Sequence, residues 1–202
     1  MLHSSTHSEK KRKDAARKLA LERRNVLRPD DIASLSDIIA ERALSSWEYQ
    51  QARTVMLYAS HASEVRTDRL MRQALADGKR LILPRVRRKT MCLDLFFVTD
   101  PETQLAPGCW GIREPLPEAC APASGEDLDC VIAPGVAFDE WGGRLGYGGG
   151  FYDYLLASLD EDRARKCLGL AFEVQIVPDL PRGLFDAKVA AVATEIRLIE
   201  NR

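Results

Sequence analysis

Arg144-Leu145-Gly146-Tyr147-Gly148-Gly149-Gly150-Phe151-Tyr152-Asp153 is the stretch on which the reading of this 202-residue chain turns. Four of its ten residues are glycine, an arginine opens it and an aspartate closes it. The apolar residues 131–138 run into it, and a helical pattern over residues 150–159 leaves it. Glycines let backbone N–H groups approach an anion and adopt positive φ without a Cβ clash. A helix start adds a partial positive charge. No Gly-Lys-Ser/Thr follows the glycines, so this is not a Walker loop, and Gly78-Lys79 is excluded because Arg80 comes next. The G-x-G-x-x-G spacing fails at Phe151. Composition alone also admits a surface turn. Arg144 as a cation for phosphate oxygens and Asp153 as a carboxylate for a metal favour a nucleotide site.

Outward from this unit, strands and helices alternate. Residues 54–58, 80–83, 93–98, 128–132, 167–172 and 189–194 read as strands. Helices are expected over residues 9–28, from Asp30 or Asp31 with Ile32, Leu35, Ile38, Ile39, Leu44 and Trp47 on one face, and over 67–76. Thr67 is the expected N-cap of the last and Gly78 its stop. Residues 101–122 read as a long Pro-rich loop. The alternation predicts an α/β fold with a mostly parallel sheet covered on both faces. In such sheets ligands bind beyond the strand C-termini. The glycine loop, the Glu64 loop and Pro84-Arg85 all follow strands and are expected at one edge.

The chain is long enough for one domain, read as a disordered N-terminus over residues 1–8 and a single domain over 9–202. Its 46% hydrophobic content supplies a core, and its net charge of −1 gives no general attraction to nucleic acid or membrane. No apolar run reaches the ~18 residues of a membrane span, and the basic N-terminus lacks the apolar region of a secretory signal. The five cysteines form no C-x-x-C pair, which fits reduced thiols and a cytoplasmic location. His3, His7 and His61 are the only histidines. A Ser-His-Asp triad or His-rich zinc site beyond residue 61 is therefore excluded. Chemistry resting on position, charge and metal remains, as in phosphoryl transfer.

Residues 9–28 are strongly basic, with Lys10, Lys11, Arg12, Lys13, Arg17, Lys18, Arg23, Arg24 and Arg28 against Glu9, Asp14 and Glu22. Three readings stand: a solvated helix, an RNA-binding arm, or a helix whose basic face reaches an anionic ligand. The absence of interleaved aromatics counts against RNA.

Several separated motifs together carry a family resemblance. They are Pro134-Gly135-Val136-Ala137-Phe138-Asp139 followed by Arg144 to Asp153, Lys13-x-x-x-Arg17 with Arg23-Arg24, Ser60 with Glu64-Val65-x-Thr67, Pro84-Arg85-Val86, and Trp110-Gly111-Ile112-x-Glu114-Pro115. In these the chain resembles the 5-formyltetrahydrofolate cyclo-ligases, also called methenyltetrahydrofolate synthetases, over about residues 10–196. The resemblance implies a three-layer α/β/α fold of the sugar-phosphate isomerase and CoA-transferase type. It implies ATP- and Mg2+-dependent cyclisation of 5-formyltetrahydrofolate to 5,10-methenyltetrahydrofolate, with ADP and phosphate released. The formyl oxygen takes the γ-phosphoryl group, and N10 then attacks the activated carbon.

By the same resemblance, ATP is expected on Lys13, Arg17, Arg144, Leu145, Gly146, Tyr147, Gly148, Gly149, Gly150, Phe151 and Tyr152. Catalytic roles fall to Arg144 and Tyr152, substrate contacts to Ala59, Glu64, Trp110 and Tyr147, and the metal to Asp153. Residue by residue, Lys13 and Arg17 also read as surface cations, Glu64 as a helix-flanking charge and Tyr152 as core. Two positions depart from the family pattern. Tyr147 stands where relatives often carry a basic residue, and Ala190 stands where some carry a second metal-binding aspartate, leaving Asp186 as the nearby carboxylate. A non-catalytic folate- or nucleotide-binding relative is therefore the alternative. A monomer is expected, with 5-formyltetrahydrofolate and ATP as its partners and neither nucleic acid nor membrane.

Overall fold

A computed structural model of the chain describes residues 2–183 and 186–201, with side chains from Ser8 onward. The elements in chain order begin with helices α1 (Leu2–Asn25), α2 (Pro29–Ser45) and α3 (Trp47–Gln51), then strand β1 (Thr54–Met56) and α4 (Asp68–Ala76). Strands β2 (Arg80–Arg87), β3 (Cys92–Val98), β4 (Leu105–Pro107), β5 (Arg113–Pro115), β6 (Ala121–Ala123), β7 (Cys130–Ala133), β8 (Ala137–Asp139) and β9 (Arg144–Leu145) follow. The chain then forms α5 (Phe151–Ala157), α6 (Glu161–Ala164), β10 (Cys167–Leu170), β11 (Ile176–Val177), β12 (Ala191–Ala193) and β13 (Leu198–Glu200).

Eight strands make one sheet in the order β13-β12-β10-β7-β1-β2-β3-β6. The central five, from β12 to β2, run parallel, while β13, β3 and β6 join antiparallel at the edges. Side chains alternate between two cores, as the pleat requires. Val55, Leu57, Leu81, Leu83, Cys130, Ile132, Leu168 and Leu170 face one layer, packed with Ile39, Ala43, Leu70 and Met71 of α2 and α4. Met56, Ile82, Val131, Ala133, Cys167 and Val192 face the other, with Leu155 and Leu156 of α5. This is the three-layer α/β/α arrangement with a mostly parallel sheet.

Several local expectations need correcting. The β2 strand runs through Pro84 to Arg87 instead of ending at Leu83. Proline is tolerated because β1 pairs only as far as Ile82, leaving that side of β2 without a strand. Two residues on, the Val86 N–H on that side goes to the Glu114 carboxylate (3.2 Å). The long loop over 101–122 contains the β4–β5 hairpin, because Gly108 and Ile112 close a tight turn between them. Thr67 makes no capping hydrogen bond to α4. Its hydroxyl donates to Tyr58 O (2.6 Å) and accepts from Ser60 N (3.3 Å), tying the β1–α4 loop shut. Ile38 and Trp47 are exposed, and the buried stripe of α2 is Ile32, Ser36, Ile39, Ala40 and Ala43. Residues 2–8, expected to be disordered, continue α1, while Met1 lies outside the described residues.

A small three-stranded sheet, β11-β8-β9, carries the glycine loop. Asp139, fully buried at the end of β8, accepts from the N–H groups of Trp141 (2.9 Å), Gly143 (2.7 Å) and Leu180 (3.2 Å). Phe138 beside it fills a slot under two glycines. A Cβ on Gly169 would meet its ring at 2.5 Å, and one on Gly135 would strike it too.

Gly169→Ala is therefore expected to destabilise the protein by about 1–3 kcal/mol through overpacking. Phe138→Ala should cost about 3–5 kcal/mol through the cavity it leaves. Urea denaturation measures both, and wild-type stability in Gly169→Ala would mean the slot relaxes freely.

Candidate active site

Helix α1 lies across the C-terminal ends of β1 and β7 and decides the site. Its inward face reads Lys13, Ala16, Arg17, Ala20 and Arg24, a spacing of three and four residues that puts one stripe toward the fold. Ala16 and Ala20 pack on Val136, Ala137, Leu145 and Leu180, and their small side chains bring the helix close. The three cations of that stripe then reach the glycine loop and its surroundings. Arg17 Nε donates to Gly146 O (2.8 Å), and its Nη1 pairs with Asp14 (2.5 Å). Lys13 Nζ sits 2.5 Å from Asp186 and 3.0 Å from Glu9. Burial works to lower the Lys13 pKa, but the two carboxylates outweigh it and hold it above the ordinary lysine value.

Arg144 and Asp153, at the two ends of the decisive stretch, pair directly. Arg144 Nη2 donates to Asp153 Oδ1 (2.6 Å), and Nη1 to Pro134 O (3.3 Å). The arginine side chain is 2% exposed, and its Nε has no partner among the described residues. Between them Gly148 and Gly150 take φ of +98° and +71°, backbone that side-chain-bearing residues rarely adopt. A Cβ on Gly148 would sit 3.5 Å from the Arg17 guanidinium, so the loop and α1 are in close approach.

These groups line a cavity of about 620 Å3. Its walls include Lys10, Lys13, Arg17, Arg144, Gly146, Gly148, Gly150, Asp153, Glu9, Asp14 and Asp186. Four basic residues thus share it with four acidic ones, and each of Lys13, Arg17 and Arg144 is held by a carboxylate. A cationic row beside a glycine loop has the chemistry of a polyphosphate site.

The other side of the loop faces a second group. Tyr147, half-exposed, turns away from the cavity and accepts from Arg24 Nη2 through its hydroxyl (2.6 Å). Glu64 is buried and accepts from His61 N (2.9 Å). Burial raises the Glu64 pKa, opposed by the His61 N–H, by Arg24 and by Tyr147. Trp110, with φ of +57° in the turn before β5, presents its face to Phe151 edge-on at 6.2 Å. Arg88 lies 4.8 Å from the Trp110 ring. Ala59 is buried at the start of the Glu64 loop.

The structure therefore divides the expected ATP residues. Lys13, Arg17, Arg144, Leu145, Gly146, Gly148 and Gly150 line the cavity. Tyr147 and Phe151 stand with Glu64 and Trp110 instead, and the Gly149 Cα is backed against the Phe151 ring. The Tyr152 hydroxyl is buried and has no partner among the described residues, and burial pushes its pKa well up. Its ring lies 5.7 Å from the guanidinium carbon of Arg144, and Tyr152 is not among the residues lining the cavity. Ala190 bonds Cys167 O and Asn201 N through its backbone, and its methyl group offers no ligand. Arg24 was missed as a site residue. Its signal was the seven-residue spacing from Arg17, two turns along one helix face.

Known proteins are similar to this chain in sequence and fold. Residues 9–195 match the model of the 5-formyltetrahydrofolate cyclo-ligase family. The 5-formyltetrahydrofolate cyclo-ligase of Escherichia coli (strain K12) is 32% identical over 179 residues, 89% of this chain and 98% of that one. That of Haemophilus influenzae is 33% identical over 148 residues, 73% and 79% of the two chains. The solved structure of the Aquifex aeolicus 5,10-methenyltetrahydrofolate synthetase superposes with a TM-score of 0.80 at 33% identity, covering 94% of this chain and 93% of that one.

A polyanion should stabilise this cavity. Saturating tripolyphosphate with Mg2+ is expected to raise the melting temperature by roughly 5 °C. The Lys13→Ala/Arg17→Ala double variant should lose most of that shift. An undiminished shift in the variant would place the anion elsewhere.

Proposed function

The chain belongs to the 5-formyltetrahydrofolate cyclo-ligase family, and from that premise we propose that it closes 5-formyltetrahydrofolate to 5,10-methenyltetrahydrofolate with consumption of ATP. The observation that carries the reading is the two-sided glycine loop. One side faces the cation-lined cavity, and the other faces Glu64 and two half-exposed aromatic rings.

In this reading the ATP phosphates lie in the cavity on Lys13, Arg17 and the backbone of residues 146–150, with Arg144 at the γ-phosphate. The formyl oxygen attacks the γ-phosphorus, and the bond to the bridging oxygen breaks, releasing ADP. N10 then attacks the formyl carbon, the carbon–oxygen bond breaks, phosphate leaves with that oxygen, and the N10 proton is lost. Phosphorylation is needed because an amide oxygen is a poor leaving group. The second step is intramolecular, so holding the folate beside the loop supplies much of its rate. Glu64 accepts hydrogen bonds from the pterin N–H groups, with Ala59, Tyr147, Trp110 and Phe151 as the wall. Arg144 is already held in place by Asp153 and the Pro134 carbonyl, so little reorganisation is needed for it to meet developing charge.

The donor set fits a Mg2+ bound with the nucleotide. Cavity charges already balance without ligand, so a polyphosphate requires an accompanying cation. One Asp153 oxygen takes Arg144, while Asp186 is held by Lys13 and the Gly183 N–H (2.7 Å). Among the described residues no cluster of three or more His, Cys, Asp or Glu is placed to hold a metal alone. Asp153 plus phosphate oxygens is then the shell, with water completing it. When bound, the ion neutralises phosphate charge and polarises the β- and γ-phosphoryl oxygens. A monomeric cytoplasmic enzyme agrees with the five free cysteines. Among the described residues no helix is long and apolar enough to cross a membrane.

Mixing the protein with ATP, Mg2+ and 5-formyltetrahydrofolate is expected to produce the methenyl chromophore with one ADP per turnover. ADP formation at the same rate without folate would defeat the reading. For the metal, Asp153→Asn should lose roughly 10²-fold or more in kcat/KM, the scale of a lost transition-state contact, and recover partly at raised Mg2+. Asp186→Asn should be milder. The reverse order in a Mg2+ titration would move the metal to Asp186.

A further inference from the structure

Arg24 is a buried cation that the phosphate chemistry does not use. It is 2% exposed, on the last turns of α1. It spends its donors on three separate segments: Nη2 on Tyr147 Oη (2.6 Å), Nε on Ser63 Oγ (3.1 Å) and Nη1 on Gly135 O (3.5 Å). Its guanidinium carbon also lies 5.7 Å from the Tyr147 ring. Two turns earlier, Arg17 holds Gly146, the residue before Tyr147. One helix thus grips two successive residues of the glycine loop, and with Arg24 it also grips the residue before Glu64.

We propose that Arg24 is a positioning residue for the folate half of the reaction, holding Tyr147 and Ser63, the residue before Glu64, so that the Glu64 carboxylate is kept in place beside the glycine loop. The proposal rests on the folate role given to Glu64 above. Tyr147 has one proton and two lone pairs. With Arg24 donating to its oxygen, the Tyr147 proton is free for another acceptor on the Glu64 side of the loop. An arginine cannot lose its proton, so Arg24 can only donate to that oxygen. Only the ionised carboxylate offers acceptors at both oxygens to pterin N–H groups.

The groups around Glu64 oppose one another. Burial favours the neutral acid, and the hydroxyls of Tyr58 at the end of β1 and Tyr152 in α5 lie nearby. The His61 N–H, the His61 side chain, Arg24 and Tyr147 favour the anion. Arg24 is the permanent charge among them. Burial already outweighs them and raises the Glu64 pKa; without Arg24 the carboxyl protonates at still higher pH, and folate binding is lost as pH falls through that value.

The experiment is the pH profile of kcat/KM for 5-formyltetrahydrofolate, with KM for ATP measured alongside. In Arg24→Met the acid limb is expected to move up by about one pH unit, on the scale of one neighbouring charge. KM for folate should rise at least tenfold and KM for ATP less than threefold. Arg24→Lys should recover part of the shift. Tyr147→Phe, which keeps the ring and removes only the oxygen that Arg24 holds, should shift the limb in the same direction and raise KM for folate. It decides the matter if Arg24→Met does not fold. Glu64→Gln should abolish the limb. An acid limb and folate KM at wild-type values in both Arg24→Met and Tyr147→Phe would overturn the proposal, as would a limb that survives Glu64→Gln. Failure of the wild-type protein to form the methenyl product would instead overturn the function itself.

Discussion

An ion pair closes the glycine loop. Arg144 and Asp153 bracket eight residues, and their side chains meet beneath that segment at 2.6 Å. A guanidinium with 2% exposure is tolerable only with a carboxylate and hydrogen bonds around it. Asp153 and the Pro134 carbonyl provide them, so the loop ends are held together and residues 146–150 bow outward as an arch. The groups around it then divide by which side of the loop they occupy. The cation-lined cavity lies on one side, and Glu64 with its aromatic neighbours lies on the other. The pair also fixes Asp153 next to the cavity.

The second constraint is the close seating of α1. A helix bearing eight basic residues between Glu9 and Asn25 would ordinarily stay in water. Ala16 and Ala20 let it approach Val136, Ala137 and Leu145 closely enough for Lys13, Arg17 and Arg24 to reach inward. Lys13 and Arg17 are neutralised locally by Asp14, Glu9 and Asp186, while Arg24 at the last turns is hydrogen-bonded to two hydroxyls and a carbonyl. The result is a cavity preorganised with donors but balanced in charge. Such a site has little attraction for a bare polyanion and more for one that brings a cation. The motifs over residues 84–86 and 110–115 serve the same assembly from a distance. Arg85 bonds Pro115 O (2.9 Å) and Val86 N bonds Glu114, which seats the turn that presents Trp110.

Much of this was legible from residue order. The alternating apolar runs specified the parallel core, because a strand buried on both faces must be apolar throughout and short. The glycine count and the flanking Arg144 and Asp153 marked the site, since few other compositions bring a backbone to an anion. Gly78 ended its helix at φ +73° as read. Reading failed where a residue has a plausible local role that a distant partner overrides. Thr67 looked like a cap and became a latch on Tyr58 and Ser60. Pro84 looked like a strand end and was admitted because β1 had already stopped. Tyr147, Phe151 and Tyr152 are adjacent or nearly so to cavity residues. Yet two of them face the far side of the loop and the third lies beneath it, a distinction that one-dimensional spacing does not contain.

By itself, then, the sequence determined the α/β alternation, the glycine loop with its flanking Arg144 and Asp153, and the family, because these rest on local backbone preference and on residue types in fixed order. Only the tertiary structure decided which cation of α1 meets which surface. Lys13 and Arg17 face the cavity while Arg24, on the same stripe of the same helix, is buried against Tyr147, Ser63 and Gly135. The reason is that a helix face has one periodicity but meets a surface that changes along its length. Residues two turns apart are equivalent in the pattern, and it is the fold beneath them, here the two sides of a bowed loop, that gives each its partner.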